Sequence, residues 1–471
     1  MEGCSMLTRE QNDRLTLVDP GTPMGELMRR YWQPVAGVSE MNDKPTKAVR
    51  LLCEDLILYK DESGNYGLID ASCAHRRVNM LWGIPEENGL RCPYHGWLYD
   101  SNGQCLEMPA EPADSTFPSR VQLKAYPVQA MGGLLWAYLG PQPAPLIPHY
   151  YPFVEEGRVR SIGWTHVTCN WLQIMENSLD PIHAEYLHGY FSKYVLQRMG
   201  VIEHRGDIYG KRPMEEKPGV EFWRKPGRSM RHISASTSRF EHGILKHRWL
   251  QGENQDESIG WNIGHPILFP NLESGTGGHD FQIRVPMDNE NTYYIYYYAT
   301  LPRDGEPVDQ AQEDIPVYHV PIAGVDWEGQ PIWDQLDNNS GQDHFAWTSQ
   351  GPRTRRWLER LGQSDIGIIL YRRMLMEQMK VVEDGGDPIN TFRDPATNEI
   401  IWLPYDRMGD EVIEGMRSVP KEAEKASGEP LGAGSSGKFN PFNVAYAEKL
   451  GKPVPPPFPE SAKTAVEVSP G

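Results

Sequence analysis

Apolar and polar positions change their spacing several times along the chain. Residues 9–17 and 24–31 carry short helix-like patterns separated by the turn signal Asp19-Pro20-Gly21, and predict a leading helical segment over residues 1–44. From residue 45 the pattern becomes short β-type runs, such as Leu56-Ile57-Leu58-Tyr59 and residues 133–139, punctuated by Gly, Pro and Asn. This predicts a small antiparallel β domain over 45–148, closing in a proline-rich linker at 141–148, because proline cannot donate to a sheet ladder and stiffens the chain. A mixed α and β domain is expected over 149–426. There, residues 170–188 look helical, and 281–285 and 292–298 are rich in residues that suit pleated strands. Residues 365–382 place Ile366, Ile369, Leu370, Met374 and Leu375 at a period of about 3.6. Residues 427–471 are turn-rich and predict an extended tail. The fold class expected is α+β.

The 471-residue length supports the two-domain reading, since single cores stop growing at roughly 250 to 300 residues. With 39% hydrophobic and 23% charged residues the chain can bury a sizeable core, and its net charge of -18 argues against nucleic-acid partners. Arg9, Glu10, Asp13 and Arg14 interrupt any secretory signal, and no apolar run is long enough to span a membrane. The six cysteines are too sparse for a disulfide scaffold, which points to a reducing cytoplasm. Cys53, Cys105 and Cys169 read as ordinary thiols, and Cys4 lies in the terminus.

Cys73-Ala74-His75 and Cys92-Pro93-Tyr94-His95 each pair one thiolate with one imidazole. A [2Fe-2S] cluster with two cysteines on one iron and two histidines on the other needs that inventory. A zinc site uses the same four ligands, but zinc fingers place both cysteines before both histidines, and here each segment carries one of each. Gly96 lets the backbone approach a cluster closely and Trp97 shields a flank, while Arg76 and Arg77 also suit a solvated surface.

A second constellation holds Glu176, Asn177, Asp180, His183 and His188. On a continuous helix Glu176, Asp180 and His183 share a face. His183 and His188 then stand about 140° apart, so both reach one ion only if the helix widens or ends between them, and Gly189 offers an ending. Two histidines with one carboxylate form the facial triad of non-haem iron(II) oxygenases, although the spacing alone also suits a solvated helix face.

Together the C-x-H-R and C-P-Y-H-G-W segments, the downstream histidines, and residues 21–32 and 361–367 resemble Rieske-type non-haem iron oxygenases of the phthalate-dioxygenase branch, over most of the chain. The resemblance implies an N-terminal Rieske all-β domain joined to a helix-grip catalytic domain. It assigns a [2Fe-2S] cluster to Cys73, His75, Cys92 and His95, and a mononuclear Fe(II) to His183, His188 and a carboxylate. Asp180, with Glu176 and Asn177, falls in the stretch that in this family carries electrons and hydrogen bonds, with Asp180 bridging a cluster histidine of one subunit to His183 of the next. The third ligand is therefore sought elsewhere. Residues 341–351 resemble a Gln-Asp segment opening a helix in such relatives, which favours Asp343 over Asp337 and Asp326; an N-cap or first-turn acid is the other reading, and His344 adjoins it.

The implied function is that of a terminal oxygenase hydroxylating the ring of an aromatic carboxylate such as a phthalate-like acid with O2. Residues 240–246 and 264–270 also resemble relatives that O-demethylate methoxylated lignin-derived acids, which is the alternative. An electron-transfer iron–sulfur protein without oxygenase activity would explain the first constellation alone. Electrons would come from NAD(P)H through a separate flavin and iron–sulfur reductase, since the chain shows no G-x-G-x-x-G dinucleotide fingerprint. Homotrimers, sometimes stacked as hexamers, are implied. Arg248 and Arg284, on apparent strands, suit a forked grip on a substrate carboxylate or an exposed strand surface.

Overall fold

The computed structural model of the protein describes residues 7–200, 231–275, 280–300, 307–320, 322–336 and 338–404. Cys4, Asp337 and the expected tail lie outside the described residues. The leading segment forms α1 (Arg9–Thr16), where Thr8 and Gln11 make a reciprocal capping box, and α2 (Pro23–Met28), where Thr22 caps and proline opens the helix. It also supplies a strand the periodicity does not announce, β1 (Gln33–Gly37), buried at every position. A short apolar run of this kind gives no period to read.

The N-terminal domain is built from β2 (Thr46–Leu51), β3 (Glu54–Lys60), β4 (Tyr66–Asp70), β5 (Ile84–Glu86), β6 (Gly89–Arg91), β7 (Leu98–Tyr99), β8 (Cys105–Glu107), β9 (Ala125–Tyr126), β10 (Val128–Met131) and β11 (Leu134–Ala137). They form antiparallel sheets of order β1-β11-β10, β2-β3-β4-β9 and β5-β6-β7-β8. The proline-rich linker is docked: Trp32 Nε1 donates to Pro145 O at 2.8 Å and Leu146 N–H to Phe392 O at 2.7 Å.

The second domain carries α3 (Tyr151–Val154), α4 (Trp171–Ser178), α5 (His183–Glu185), α6 (Ser192–Arg198), α7 (Ile259–Asn262), α8 (Asn339–Thr348) and α9 (Ile366–Glu383) around one sheet. Its strands are β12 (Val159–Val167), β13 (His232–Phe240), β14 (Gly243–Leu250), β15 (His265–Leu268), β16 (Leu272–Ser274), β17 (Asp280–Pro286), β18 (Thr292–Thr300) and β19 (Val317–His319). They run in the order β13-β14-β15-β16-β17-β18-β12-β19, and the β12–β19 pair is parallel. The fold is thus α+β, an all-β domain followed by a helix-flanked, mainly antiparallel sheet.

The two faces of that sheet differ because side chains alternate along a strand. Phe281, Ile283, Val285, Ile295 and Tyr297 join the main core with Trp136 and Phe153, which packs the sheet against the first domain. The opposite face carries Lys246, His265, Glu273, Gln282, Arg284, Tyr294 and Tyr296, in register across five strands. It meets α4 through Arg284 and Ser178, and α8 through Tyr296 and His344. The functional residues of this domain gather there.

Candidate functional site

In the N-terminal domain two loops repeat one turn. Cys73 N–H donates to Val78 O at 2.9 Å and Cys92 N–H to Trp97 O at 2.8 Å, while the residue four places on returns its own N–H to the cysteine carbonyl at 2.9 and 3.0 Å. That fourth residue is left-handed in both loops, Arg77 at φ 61° and Gly96 at φ 77°. The Cys73 and Cys92 side chains sit in a small core with Leu90, Trp97 and Tyr99, and the Tyr99 hydroxyl lies 3.3 Å from Cys73 Sγ. Burial, ahead of the neighbouring Cys73, raises the Cys92 thiol pKa. The imidazoles stand at the rim, His75 exposed, with ring centroids 4.4 Å apart. Trp97 stacks on His75 at 4.6 Å, the flank expected of it. Two sulfurs inside and two imidazoles outside fit a [2Fe-2S] cluster ligated by cysteine on one iron and histidine on the other.

The expected helix over 170–188 is broken. Asn170 caps α4, which ends at Ser178; Pro181 then bars continuation, and the chain re-enters helix at His183. Glu176, Asp180 and His183 therefore do not share one helix face. From Tyr186 to Phe191 the helix widens into a π turn and continues as α6, so the helix does not end at Gly189. Such turns bond i to i+5 and cluster at functional sites. The widening brings His183 and His188 together, ring centroids 5.1 Å apart.

Asp343 projects from α8, whose N-cap is Asn338, so Asp343 is neither the cap nor a first-turn acid. One ligand atom from each of His183, His188 and Asp343 lies within 4.8 Å of the others, and among the described residues this is the one such group. Asp343 Oδ1 is buried without a hydrogen-bond partner, 3.2 Å from His188 Nε2 and 4.0 Å from His183 Nε2. Both imidazoles are oriented from behind. His183 Nδ1 donates to the Asp180 carbonyl, and His188 Nδ1 donates to Gln342 Oε1 at 2.9 Å. Gln342 Nε2 in turn donates to Leu336 O at 2.8 Å, which fixes which end of the amide faces the histidine. With Nδ1 protonated, each Nε2 presents a lone pair inward. Burial prevails over the opposing pull of Asp343 and, aided by His188 and Lys246, pushes His183 down to about 4, which keeps it neutral as a ligand must be. Burial acts the same way on His188, but adjacent Asp343 outweighs it and raises that pKa. Converging lone pairs and an orphaned buried carboxylate oxygen fit a divalent iron with positions left open.

The other expected residues are placed differently. Asp180 Oδ1 accepts from Ile182 N–H at 2.8 Å, and its carbonyl orients His183. Asn177 is half-buried at the end of α4, where its carbonyl accepts the Asp180 N–H at 3.1 Å. Glu176 is turned away into a buried ion pair, 2.7 Å from Arg356 Nη2 and 2.6 Å from Arg372 Nε, and so is a structural anchor of α4 and not part of the reacting site. Asp326 caps a surface turn by accepting from Glu328 and Gln330 N–H groups. Arg284 corrects the expected grip on a substrate carboxylate. Its Nη2 donates to Glu273, Ser178 and Gln282 and its Nη1 to Gln282 O, so the guanidinium edge is engaged by the protein's own groups and no free fork is offered. Arg248 is half-buried on β14 and acts electrostatically on Lys246 and His265. Sequence reasoning missed Lys246, Gln342, Glu273 and His265. Period-two alternation of Lys246 with Arg248 was the available signal for the first.

No helix among the described residues is long and apolar enough to cross a membrane. A family model described as the Rieske [2Fe-2S] domain matches residues 31–127. The chain is 42% identical over 422 residues to the 5,5'-dehydrodivanillate O-demethylase oxygenase subunit of Sphingobium sp. (strain NBRC 103272 / SYK-6), covering 89% of this chain and 91% of that protein. It is 30% identical over 439 residues to the phthalate 4,5-dioxygenase oxygenase subunit of Pseudomonas putida, covering 85% and 95%. Pseudomonas putida CBB5 NdmA with caffeine superposes with a TM-score of 0.51 at 21% identity, over 78% of this chain and 94% of that one, which speaks to the fold alone. Identity at the level of the first two relatives, extending through both domains, turns two separately plausible sites into one enzyme: the chain belongs to the Rieske non-haem iron oxygenases, as an oxygenase subunit carrying a [2Fe-2S] cluster and a mononuclear iron.

Proposed function

We propose that this oxygenase removes a methyl group from a methoxylated aromatic acid, working in the cytoplasm with electrons from a separate flavin and iron–sulfur NAD(P)H reductase. The observation that carries the reading is the 42% identity, over 89% of the chain, to an O-demethylase oxygenase subunit, against 30% to a phthalate dioxygenase. Five described cysteines, all free, suit a reducing compartment.

Cys73, His75, Cys92 and His95 would hold the cluster, and His183, His188 and Asp343 the ferrous ion. When bound, that ion supplies open positions where O2 and electrons meet. The chain's own part is to fix both imidazole tautomers through Asp180 and Gln342, to exclude water by burial, and to orient the ring over the polar face of the sheet. The balanced conversion is ArOCH3 + O2 + 2 e⁻ + 2 H⁺ → ArOH + HCHO + H2O. We place Asp180 as the bridge between His183 and a cluster histidine of the neighbouring subunit in a head-to-tail trimer or hexamer.

Ring dihydroxylation is the second reading, favoured by the P. putida relative. The two differ in products. A reconstituted system of holoenzyme, reductase and NADH, given 5,5'-dehydrodivanillate and simple methoxybenzoates, is expected to release one formaldehyde per NADH. A diol retaining the methoxyl group, with no formaldehyde, would replace demethylation by dihydroxylation.

A further inference from the structure

A cavity of about 50 Å³ lies where the first domain meets the second, walled by Trp32, Trp136, Pro145, Phe153, Leu268 and Ile283. Ile283 and its register partner Leu272, which also lines the space, belong to the apolar face of the catalytic sheet. The sheet therefore stands between this cavity and the triad of His183, His188 and Asp343. Most side-chain donors in the wall are committed. Tyr31 donates to Ile389 O at 2.8 Å, Trp32 Nε1 to Pro145 O at 2.8 Å and Trp136 Nε1 to Met131 O at 3.1 Å. Asn271 Nδ2 donates to Gln33 Oε1 at 3.0 Å and Arg284 O at 2.8 Å, and Asn390 Nδ2 to His242 O at 3.0 Å and Phe269 O at 2.7 Å.

Two lining side chains keep donors without acceptors. Tyr150 is 4% exposed, and its hydroxyl has no hydrogen-bond partner among the described residues; burial raises its pKa, so it stays a donor. Arg30 lines the same space, and its guanidinium likewise makes no hydrogen bond among the described residues. The acid facing it, Asp387, stands at 3.9 Å, beyond hydrogen-bonding distance, and is gripped by Arg393 at 2.5 and 3.1 Å. Two guanidinium groups thus meet one carboxylate at this end. After burial, both Tyr150 and Asp387 raise the Tyr31 hydroxyl, which keeps the two open donors in one neighbourhood. Buried donors left unmatched are unfavourable unless something else meets them.

We propose that this cavity is a binding site for a short-chain carboxylate, its head on Arg30 and Tyr150 and its apolar body among the aromatic and aliphatic walls. An ionised carboxylate only accepts hydrogen bonds, which is what two open donors require, and its planar head suits a guanidinium. Size sets the chain length: one water needs roughly 10–15 Å³, so the enclosed space takes a body of about three or four carbons. The site is separate from the iron and does not depend on which reaction the iron performs. Its wall draws on the leading segment, the proline-rich linker and the catalytic sheet, so an occupant ties the first domain to the second and stabilises the pair.

The test is calorimetric titration of the iron- and cluster-loaded enzyme with butyrate and with 1-butanol, paired with Tm measurements. Butyrate is expected to bind once per chain with a dissociation constant of about 1 mM and to raise Tm, and the neutral alcohol to bind at least about tenfold more weakly. Arg30→Gln should weaken butyrate about 10- to 100-fold, the worth of a charge-assisted hydrogen bond, and leave the alcohol unchanged, with Arg30→Lys restoring part of the difference. Tyr150→Phe deletes a hydroxyl that bonds to nothing in the protein, so the ligand-free Tm should hold while butyrate weakens about tenfold. Should Arg30→Gln fail to fold, Tyr150→Phe decides alone: a lowered ligand-free Tm with butyrate affinity intact marks the hydroxyl as structural and overturns the proposal. Asp343→Ala should bind butyrate as wild type does; loss of binding there would put butyrate on the iron and overturn it equally. So would neither heat nor a Tm rise with butyrate at about ten times the expected constant.

Discussion

Replacing Gln342 by leucine keeps the approximate volume of a fully buried side chain while deleting both of its hydrogen bonds. His188 Nδ1–H loses its acceptor and the Leu336 carbonyl its donor, each in a site with little access to water. An unsatisfied buried polar group costs about 1–3 kcal/mol, so the apo protein should lose roughly 2–6 kcal/mol if neither partner relaxes. The effect on iron is separate and more diagnostic. Without its fixed acceptor, His188 can rotate or take the other tautomer, and loss of such a supporting contact weakens metal binding about 10- to 100-fold. Ferrous affinity measured by chelator competition should fall by that factor, with the Rieske absorption unchanged. Gln342→Glu supplies the internal control: it can still accept from His188 but cannot donate to Leu336 O while ionised, so it should lose stability yet bind iron close to wild type. Equal iron affinity in Gln342→Leu and wild type would refute the claim that the amide fixes the ligand.

Three further outcomes follow from the same geometry. Cys92→Ser should abolish the Rieske absorption and EPR signals and spare the mononuclear iron, whereas Asp343→Ala should empty the iron site and spare the cluster, because the proposed ligand sets belong to different domains. Glu176 lies below its ordinary value near 4.5: burial alone would raise it, but Arg356 and Arg372 prevail. Its stabilising contribution is therefore present above that value and lost as pH falls through the lower folded one, so Glu176→Gln should lose stability at neutral pH and flatten the acid limb of the Tm profile. Asp180→Asn should retain both metals but uncouple NADH oxidation from product, and mixing cluster-deficient with iron-deficient subunits should restore part of the turnover if electrons cross between subunits.

Legibility in the sequence followed the range of the interactions involved. The two Cys–His loops were readable because each is a closed local turn; Cys73 and Cys92 need only the next five residues to adopt their geometry. The long helix α9 was readable from its period, and β17 and β18 from their β-branched and aromatic content. Residues 170–188 misled because helical spacing looks continuous across Asp180-Pro181, although proline breaks it; the π turn that unites His183 with His188 has no side-chain signature. Arg284 looked like a substrate ligand because its partner Glu273 lies on another strand, and Glu176 looked functional because Arg356 and Arg372 are distant in sequence. Buried ion pairs of this kind are long-range facts.

We propose that an iron held by His183, His188 and Asp343, reduced through the Rieske cluster, demethylates a methoxylated aromatic acid. Its most direct test is a single turnover without reductase. The holoenzyme is chemically reduced, freed of reductant, mixed with the most active methoxylated acid of the panel, and exposed to ¹⁸O2. Formaldehyde and the demethylated phenol are expected in amounts limited by the stored electrons, with reoxidation of the cluster in step and neither product from Asp343→Ala. A cluster that reoxidises while the methoxyl group stays intact, or a ring diol carrying both ¹⁸O atoms, would contradict it.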